Sequence, residues 1–304
     1  MSKPVYKIDD LARLFRKAAA RDYRHFPALL DALVVSLDET LIYVSPAAAD
    51  AVSKNPALIR EKLAARTAWM KRNVAVASAG IDVIAGQKLK HVSLAPQLSP
   101  AHRYLPATLP ARMDIITVFD HEIGHYVARH EKLPGPGIFC HVRECAADAY
   151  ACLRHVQRFG MHTGVFETGM ANMALNVTLG TSENHYTSKI FHAVAALGAK
   201  KIKALSPDET ATLAGNIAMT HAIDPSHLRQ VYLAFAPARR LYRQTPQNWH
   251  AITTAIVDVM RAHKNNADVF LAGKYSLTHP GFKELITAAD AGFISGNVTP
   301  PPKP

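Results

Sequence analysis

Long apolar runs are missing from this chain. None of its 304 residues belongs to a stretch approaching the roughly eighteen apolar side chains of a membrane helix, so no membrane span is expected. Cysteine is scarce. Three residues, an odd number, argue against a disulfide framework and suit a reducing compartment. The opening MSKPVYKIDDLARLFRK lacks the apolar segment of a signal peptide. These absences predict a cytoplasmic protein and leave signal-independent export open. Acidic side chains are also few, 24 against 35 Lys and Arg, for a formal net charge of +11. That balance suits a soluble basic surface, or one drawn to acidic substrates, nucleic acid or anionic membrane. Basic clusters lie at Arg13–Lys17, Arg21–His25, Lys200–Lys203 and Arg239–Arg243, with Phe15, Tyr23 and Tyr242 nearby. No nucleic-acid recognition motif accompanies them, so nucleic acid is the lesser expectation.

The chain shows no internal repeat and no clear linker. With 49% hydrophobic residues it can bury a substantial core. Residues 8–20 read as a helix started by Asp9 or Asp10, and the apolar residues 27–36 as a buried helix. Ser45-Pro46 and Asn55-Pro56 each pair a cap with a proline at the first helical position, predicting helices at 46–53 and 56–72. From Val74 the pattern changes. Val74–Ala77, Ile81–Ile84 and Leu89–Leu94 read as short strands bounded by Gly and Pro. Residues 95–110 carry four prolines and form a loop into a helix at about 111–131. Pro134, Gly135, Pro136 and Gly137 then break the chain before a second helix from His141 to about Phe159. Further helices are predicted at 165–178, 187–200, 207–221, 225–235, 248–263 and 280–289. Residues 297–304 are a proline-rich tail. The expected fold is α+β, mainly α, in one domain over 1–296. It is helical over 1–73, sheet and loop over 74–110, a helical hairpin over 111–160, and helical again over 161–296.

The informative stretch is His121-Glu-Ile-Gly-His125. On a helix, residues four apart share a face, so His121 and His125 can grip one metal ion from consecutive turns. Glu122 is rotated by about 100° and reaches a water rather than the metal. Two ligands and a general base within five residues make the H-E-x-x-H arrangement of zinc hydrolases. The bulky uncharged flanks Val118, Phe119, Ile123, Tyr126 and Val127 predict a buried helix. Gly124 costs about 1 kcal/mol there relative to Ala, which implies a close approach to its backbone.

A catalytic zinc keeps three protein ligands and one open position. Glu131 stands where the metzincin pattern has its third His, and that pattern's Gly is Ala128 here. His130 lies on a different helix face. Glu144 fits better. Two helices joined by a short turn run antiparallel. His125 lies roughly 9 Å before the end of the first helix and Glu144 roughly 5 Å into the second. Asp148, four residues on, can hydrogen-bond the far nitrogen of a liganding His. An acidic stripe or a helix-capping acid is the plainer reading of this pair. In these residues the chain resembles the gluzincin zinc metallopeptidases. They follow H-E-x-x-H, about twenty residues on, with a liganding Glu in a second helix and often an acid four residues later. Glu144-Cys-Ala-Ala-Asp148 is similar to their E-x-x-A-D form. The resemblance covers about 121–148. It implies a zincin-like domain with a small sheet before the metal-binding helix, one Zn2+ per chain held by His121, His125 and Glu144, and a peptide or protein substrate. It also implies that an edge strand pairs with extended substrate, a role Lys90–Leu94 could fill if it is not simply a surface strand.

Glu183-Asn-His-Tyr186 reads as a polar loop before a helix. His185 and Tyr186 are therefore candidates to stabilise a developing oxyanion, against the simpler reading of a capping turn. Cys140, Cys145 and Cys152 with His141 and His155 could suggest a second zinc site, but buried free thiols explain them better. A di-iron bundle would need a second E-x-x-H, and the sequence has none. The function expected is a zinc-dependent peptidase. The alternatives are a zinc-containing binding protein without turnover and a basic nucleic-acid-associated protein with zinc as a staple.

Overall fold

The computed structural model describes residues 33–37, 40–44, 77–84, 87–94, 111–127, 139–180 and 182–296, together with Ala57, Glu61, Ala64, Ala65 and Ala68. These last five are helical and exposed, at positions inside the helix expected over 56–72. The helices expected at 8–20 and 46–53, the loop at 95–110 and the tail at 297–304 lie outside the described residues.

The described chain is mainly helical. Four strands come first: β1 (Leu33–Leu37), β2 (Thr40–Val44), β3 (Ala77–Ile84) and β4 (Gln87–Leu94). They pair antiparallel in the order β1-β2-β4-β3. Two expectations need correction. Within the apolar run 27–36, expected as a buried helix, residues 33–36 are strand, so the helical reading of 1–73 fails over Leu33–Leu37 and Thr40–Val44. Leu33-Val-Val-Ser-Leu37 pairs with Thr40–Val44, because a short apolar run rich in β-branched residues suits a ladder as well as a helix. Lys90–Leu94 is not an edge. His91–Leu94 is hydrogen-bonded to β2 on one side and β3 on the other, so this segment has no free backbone edge for added substrate.

The helices follow as α1 (Ala111–Val127), α2 (Phe139–Phe159), α3 (Val165–Thr178), α4 (Ser188–Leu197), α5 (Ala199–Lys203), α6 (Pro207–His221), α7 (Pro225–Ala234), α8 (Ala236–Gln244), α9 (Trp249–Ala262), α10 (Ala267–Leu277) and α11 (Ala288–Gly296). Among the described residues no helix is long and apolar enough to cross a membrane. Where the sequence predicts one helix over 187–200, Gly198 at φ 76° divides α4 from α5. This left-handed backbone favours glycine. The helix expected at 280–289 is instead a 3-10 turn at Pro280–Phe282 and the later α11. Thr287, whose hydroxyl accepts from the Asp290 amide, marks that later start. Two helices, α8 and α10, were not expected from the sequence. Two helix starts pair a cap with proline: Ser206 and Glu209 form a reciprocal capping box about Pro207, and Asp224 accepts from the Ser226 amide just past Pro225.

Two hydrophobic cores form among the described residues. One gathers Ile116, Phe119, Ile123 and Val127 of α1 with α2, α4 and α6. The other gathers Leu228, Val231, Ile256, Met260 and Phe270 from α7, α9 and α10. Helix α3 belongs to both: Phe166 lies in the first core, and Ala174, Leu175 and Val177 in the second. Helix α2 is central to the first core, packing on α1, α4, α5 and α6. Its small buried residues Ala146, Ala147, Ala149 and Ala151 let neighbours come close.

Candidate metal centre

The antiparallel hairpin of α1 and α2 builds the site. The two helices approach closely at Gly124, where a Cβ would stand 2.8 Å from the Ala147 Cα and 3.0 Å from the Ala147 carbonyl oxygen. Glycine is needed there because another helix backbone occupies the space of a side chain. Ala147 lies between Glu144 and Asp148 in sequence, and Gly124 precedes His125, so this contact sets the spacing of the polar groups around it. A second tie crosses the same helices. The guanidinium of Arg158 donates to both carboxylate oxygens of Asp120, through Nη2 to Oδ1 at 3.1 Å and through Nη1 to Oδ2. Asp120 is fully buried, so the pair compensates a charge held in the core.

On the side facing Glu144, both imidazoles converge. His121 Nε2 is 3.2 Å and His125 Nε2 3.8 Å from Glu144 Oε2. The rings of His121 and His125 stand edge to face with centroids 4.9 Å apart. One ligand atom from each of the three residues falls within 4.8 Å of the others. A tetrahedral ion with bonds of about 2.0–2.1 Å sets ligand-to-ligand edges of about 3.3 Å. The spacings present are close to that. Glu144 Oε2 is buried and makes no hydrogen bond of good geometry, although three imidazole nitrogens surround it within 3.8 Å. A buried acceptor left in this state is what a shared cation would satisfy. The donor set of two imidazoles and one carboxylate suits a borderline metal such as zinc. Glu122, next to His121, is buried as well.

Asp148 stands behind His121, as its spacing from Glu144 predicts. His121 Nδ1 donates to Asp148 Oδ1 at 2.7 Å, which turns Nε2 toward Glu144. The electrostatics follow from this packing. Burial works against a charged His121, but the charge and hydrogen bond of Asp148, with help from Glu144, outweigh it and raise its pKa well above the usual value. Burial, then the neighbouring His121, pushes His125 down to about 4. Burial also opposes ionisation of Glu144, yet its polar contacts with His121 and His185 hold its carboxyl well below the usual range.

The two loop candidates part company. His185 Nδ1 lies 3.3 Å from Glu144 Oε2 with its side chain 42% exposed, so this ring lines the site and still meets solvent. Tyr186 is buried in the second core. Burial, then the nearby Tyr275 and Asp268, raises its phenol pKa well above the usual value. The structure therefore places Tyr186 as a core anchor and not beside the triad.

The remaining His and Cys candidates serve packing, except Cys140, which is exposed where a buried thiol was expected. His141 Nδ1 donates to the Asn184 carbonyl at 2.9 Å, and its Nε2 accepts from the Ile223 amide at 3.1 Å, so both ring nitrogens are engaged. His155 bridges the hydroxyls of Thr117 at 2.7 Å and Thr163 at 2.6 Å. Cys145 and Cys152 are buried and Cys140 is exposed. Burial, foremost, pushes the Cys145 and Cys152 thiols up, the opposite of what a thiolate ligand needs. Sequence reasoning missed Thr187, whose hydroxyl donates to Asp148 Oδ2, and the Asp120–Arg158 pair. Neither leaves a local signal, since the partners are 39 and 38 residues apart.

Compared with models of known protein families, with curated proteins and with solved structures, the chain matches none.

Proposed function

We propose that this protein is a zinc-dependent peptidase of the gluzincin kind, with a zincin-like core. The observation that carries the proposal is the convergence of His121, His125 and Glu144 around a buried, unsatisfied carboxylate oxygen, with Asp148 already behind His121. The order of a β3–β4 hairpin followed by α1, which packs against both strands, is in keeping with that core.

In this proposal His121 and His125 bind through Nε2 and Glu144 through its carboxylate. A bound zinc ion would lower the pKa of a water toward neutrality and polarise a scissile carbonyl. Glu122 is the general base. Its carboxylate takes a proton from the attacking water and passes it to the leaving amine. Asp148 keeps the Nδ1 proton on His121 and so keeps the liganding nitrogen free. His185, partly exposed beside Glu144, is placed to donate toward negative charge developing on the substrate oxygen.

Glu122→Gln tests the assignment. The variant should retain about one zinc per chain, as the ligand set is untouched, while peptide hydrolysis collapses. Zinc retention with no hydrolysis in the unaltered protein would favour a binding protein without turnover. Undiminished hydrolysis in E122Q would refute the catalytic role.

A further inference from the structure

Residues 183–187 form a short strap along one face of α2. His141, Glu144 and Asp148 occupy that face, and each meets one strap residue. His141 Nδ1 donates to the Asn184 carbonyl at 2.9 Å. His185 Nδ1 stands 3.3 Å from Glu144 Oε2. The Thr187 hydroxyl donates to Asp148 Oδ2. The strap is folded tightly on itself, with the Tyr186 amide donating to the Glu183 carbonyl and the Thr187 amide to the His185 carbonyl, both at 3.0 Å.

Thr187 is unusual within this strap. It is the residue before the first turn of α4, yet its side chain makes no capping hydrogen bond. A Thr at that position ordinarily accepts from an amide of the first turn. Here the hydroxyl is buried and is committed to Asp148. The consequence lies in the carboxylate. The terminal torsion of an aspartate is broad, so one bond from Oδ1 to His121 does not fix it. With Oδ1 bound to His121 at 2.7 Å and Oδ2 held by Thr187, both oxygens are anchored from opposite sides.

We propose that Thr187 is a positioning residue of the metal centre. Its hydroxyl locks the Asp148 carboxylate, and Asp148 in turn aims His121 Nε2 at the point shared with His125 and Glu144. This rests on the metal-binding reading above. It extends the polar chain one step, to the residue just before α4, outside both ligand-bearing helices.

The experiment is zinc binding by the full chain, read by competition with a chromogenic chelator, in wild type, T187V, T187S, D148N and T187V/D148N. Outer partners of liganding groups typically change metal affinity by about 10–100-fold. T187V should bind zinc at least about tenfold more weakly than wild type, within that range. T187S, which keeps the hydroxyl, should restore most of the affinity. In the D148N background T187V should add almost nothing, because Thr187 acts through Asp148. If T187V does not fold, T187A carries the same comparison. Wild-type affinity in T187V, failure of T187S to rescue, or an equal loss in the D148N background would overturn the proposal. A wild-type protein that takes up no zinc would bring down the metal centre itself, and this inference with it.

Discussion

Replacing Gly124 by alanine sets two effects of opposite sign against each other. Alanine is the better helix former by about 1 kcal/mol, so an isolated helix would gain stability. In the folded protein the new Cβ would meet the Ala147 Cα at 2.8 Å, where ordinary contact begins at 3.4 Å. The two helices must therefore separate by about 0.6 Å at this point. Both nearby atoms of Ala147 belong to the backbone, so no side-chain rotation relieves the clash. Overpacking of this kind costs about 1–3 kcal/mol. We expect a net loss of about 1 kcal/mol in the metal-free protein once the propensity gain is set against it. The larger effect is on the donors. The His125–Glu144 edge is already 3.8 Å, and the opening would take it to about 4.4 Å, against about 3.3 Å for a tetrahedral ion. Sites held more loosely than about 0.5 Å lose function steeply, so zinc affinity should fall at least tenfold. Denaturant unfolding without zinc gives the first quantity and chelator competition the second. A G124A protein that is more stable than wild type by the propensity difference and binds zinc equally well would refute this account.

Two further outcomes are expected. Asp120→Ala removes one partner of the buried Asp120–Arg158 pair, which costs about 3–5 kcal/mol; a loss below about 1 kcal/mol in denaturant unfolding would show the pair to be solvated. Acid should destabilise the protein through His155, whose pKa is pushed down to about 4, chiefly by burial. The folded state therefore binds this proton less readily than the unfolded one, whose pKa is about 6.5. Stability is full above that value and declines as pH falls toward 4, by about 2–3 kcal/mol at pH 4.5. His141, also lowered mainly by burial, adds in the same direction. H155Q should flatten the pH dependence of the denaturant midpoint, and an unchanged slope would exclude His155 as its source.

The ligand pair could be read from the sequence because metal chemistry fixes the spacing of its side chains. His121 and His125 need only a helix to share a face, and Glu144 and Asp148 need only a second one. Helix starts were legible where a cap precedes proline, so α6 and α7 begin at Pro207 and Pro225, the residues expected. Boundaries blurred where the deciding contact is distant. Leu33–Leu37 is a strand because Thr40–Val44 lies beside it, and an apolar run of that length does not distinguish ladder from buried helix. The position of Lys90–Leu94 inside the sheet depends on β2, some fifty residues earlier in the chain. Tyr186 and His185 are neighbours in sequence, yet one lies in a core and the other beside Glu144, a separation that only the turn before α4 decides. Thr187 was invisible for the same reason, since one threonine looks like another until its hydroxyl has a partner.

Helix α3 has a mechanical consequence. Its first turn is embedded with the α1–α2 hairpin and its last turns with the C-terminal bundle. Arg239 also grips the Val177 carbonyl at 2.8 Å, and Thr178 joins Ser276 at 3.0 Å. The two cores are thus tied along α3, and a cut after α6 would strip one end of that helix bare. Whatever loosens the distal bundle would be transmitted along α3 to the hairpin, so the spacing of His121, His125 and Glu144 depends in part on side chains that never come near them.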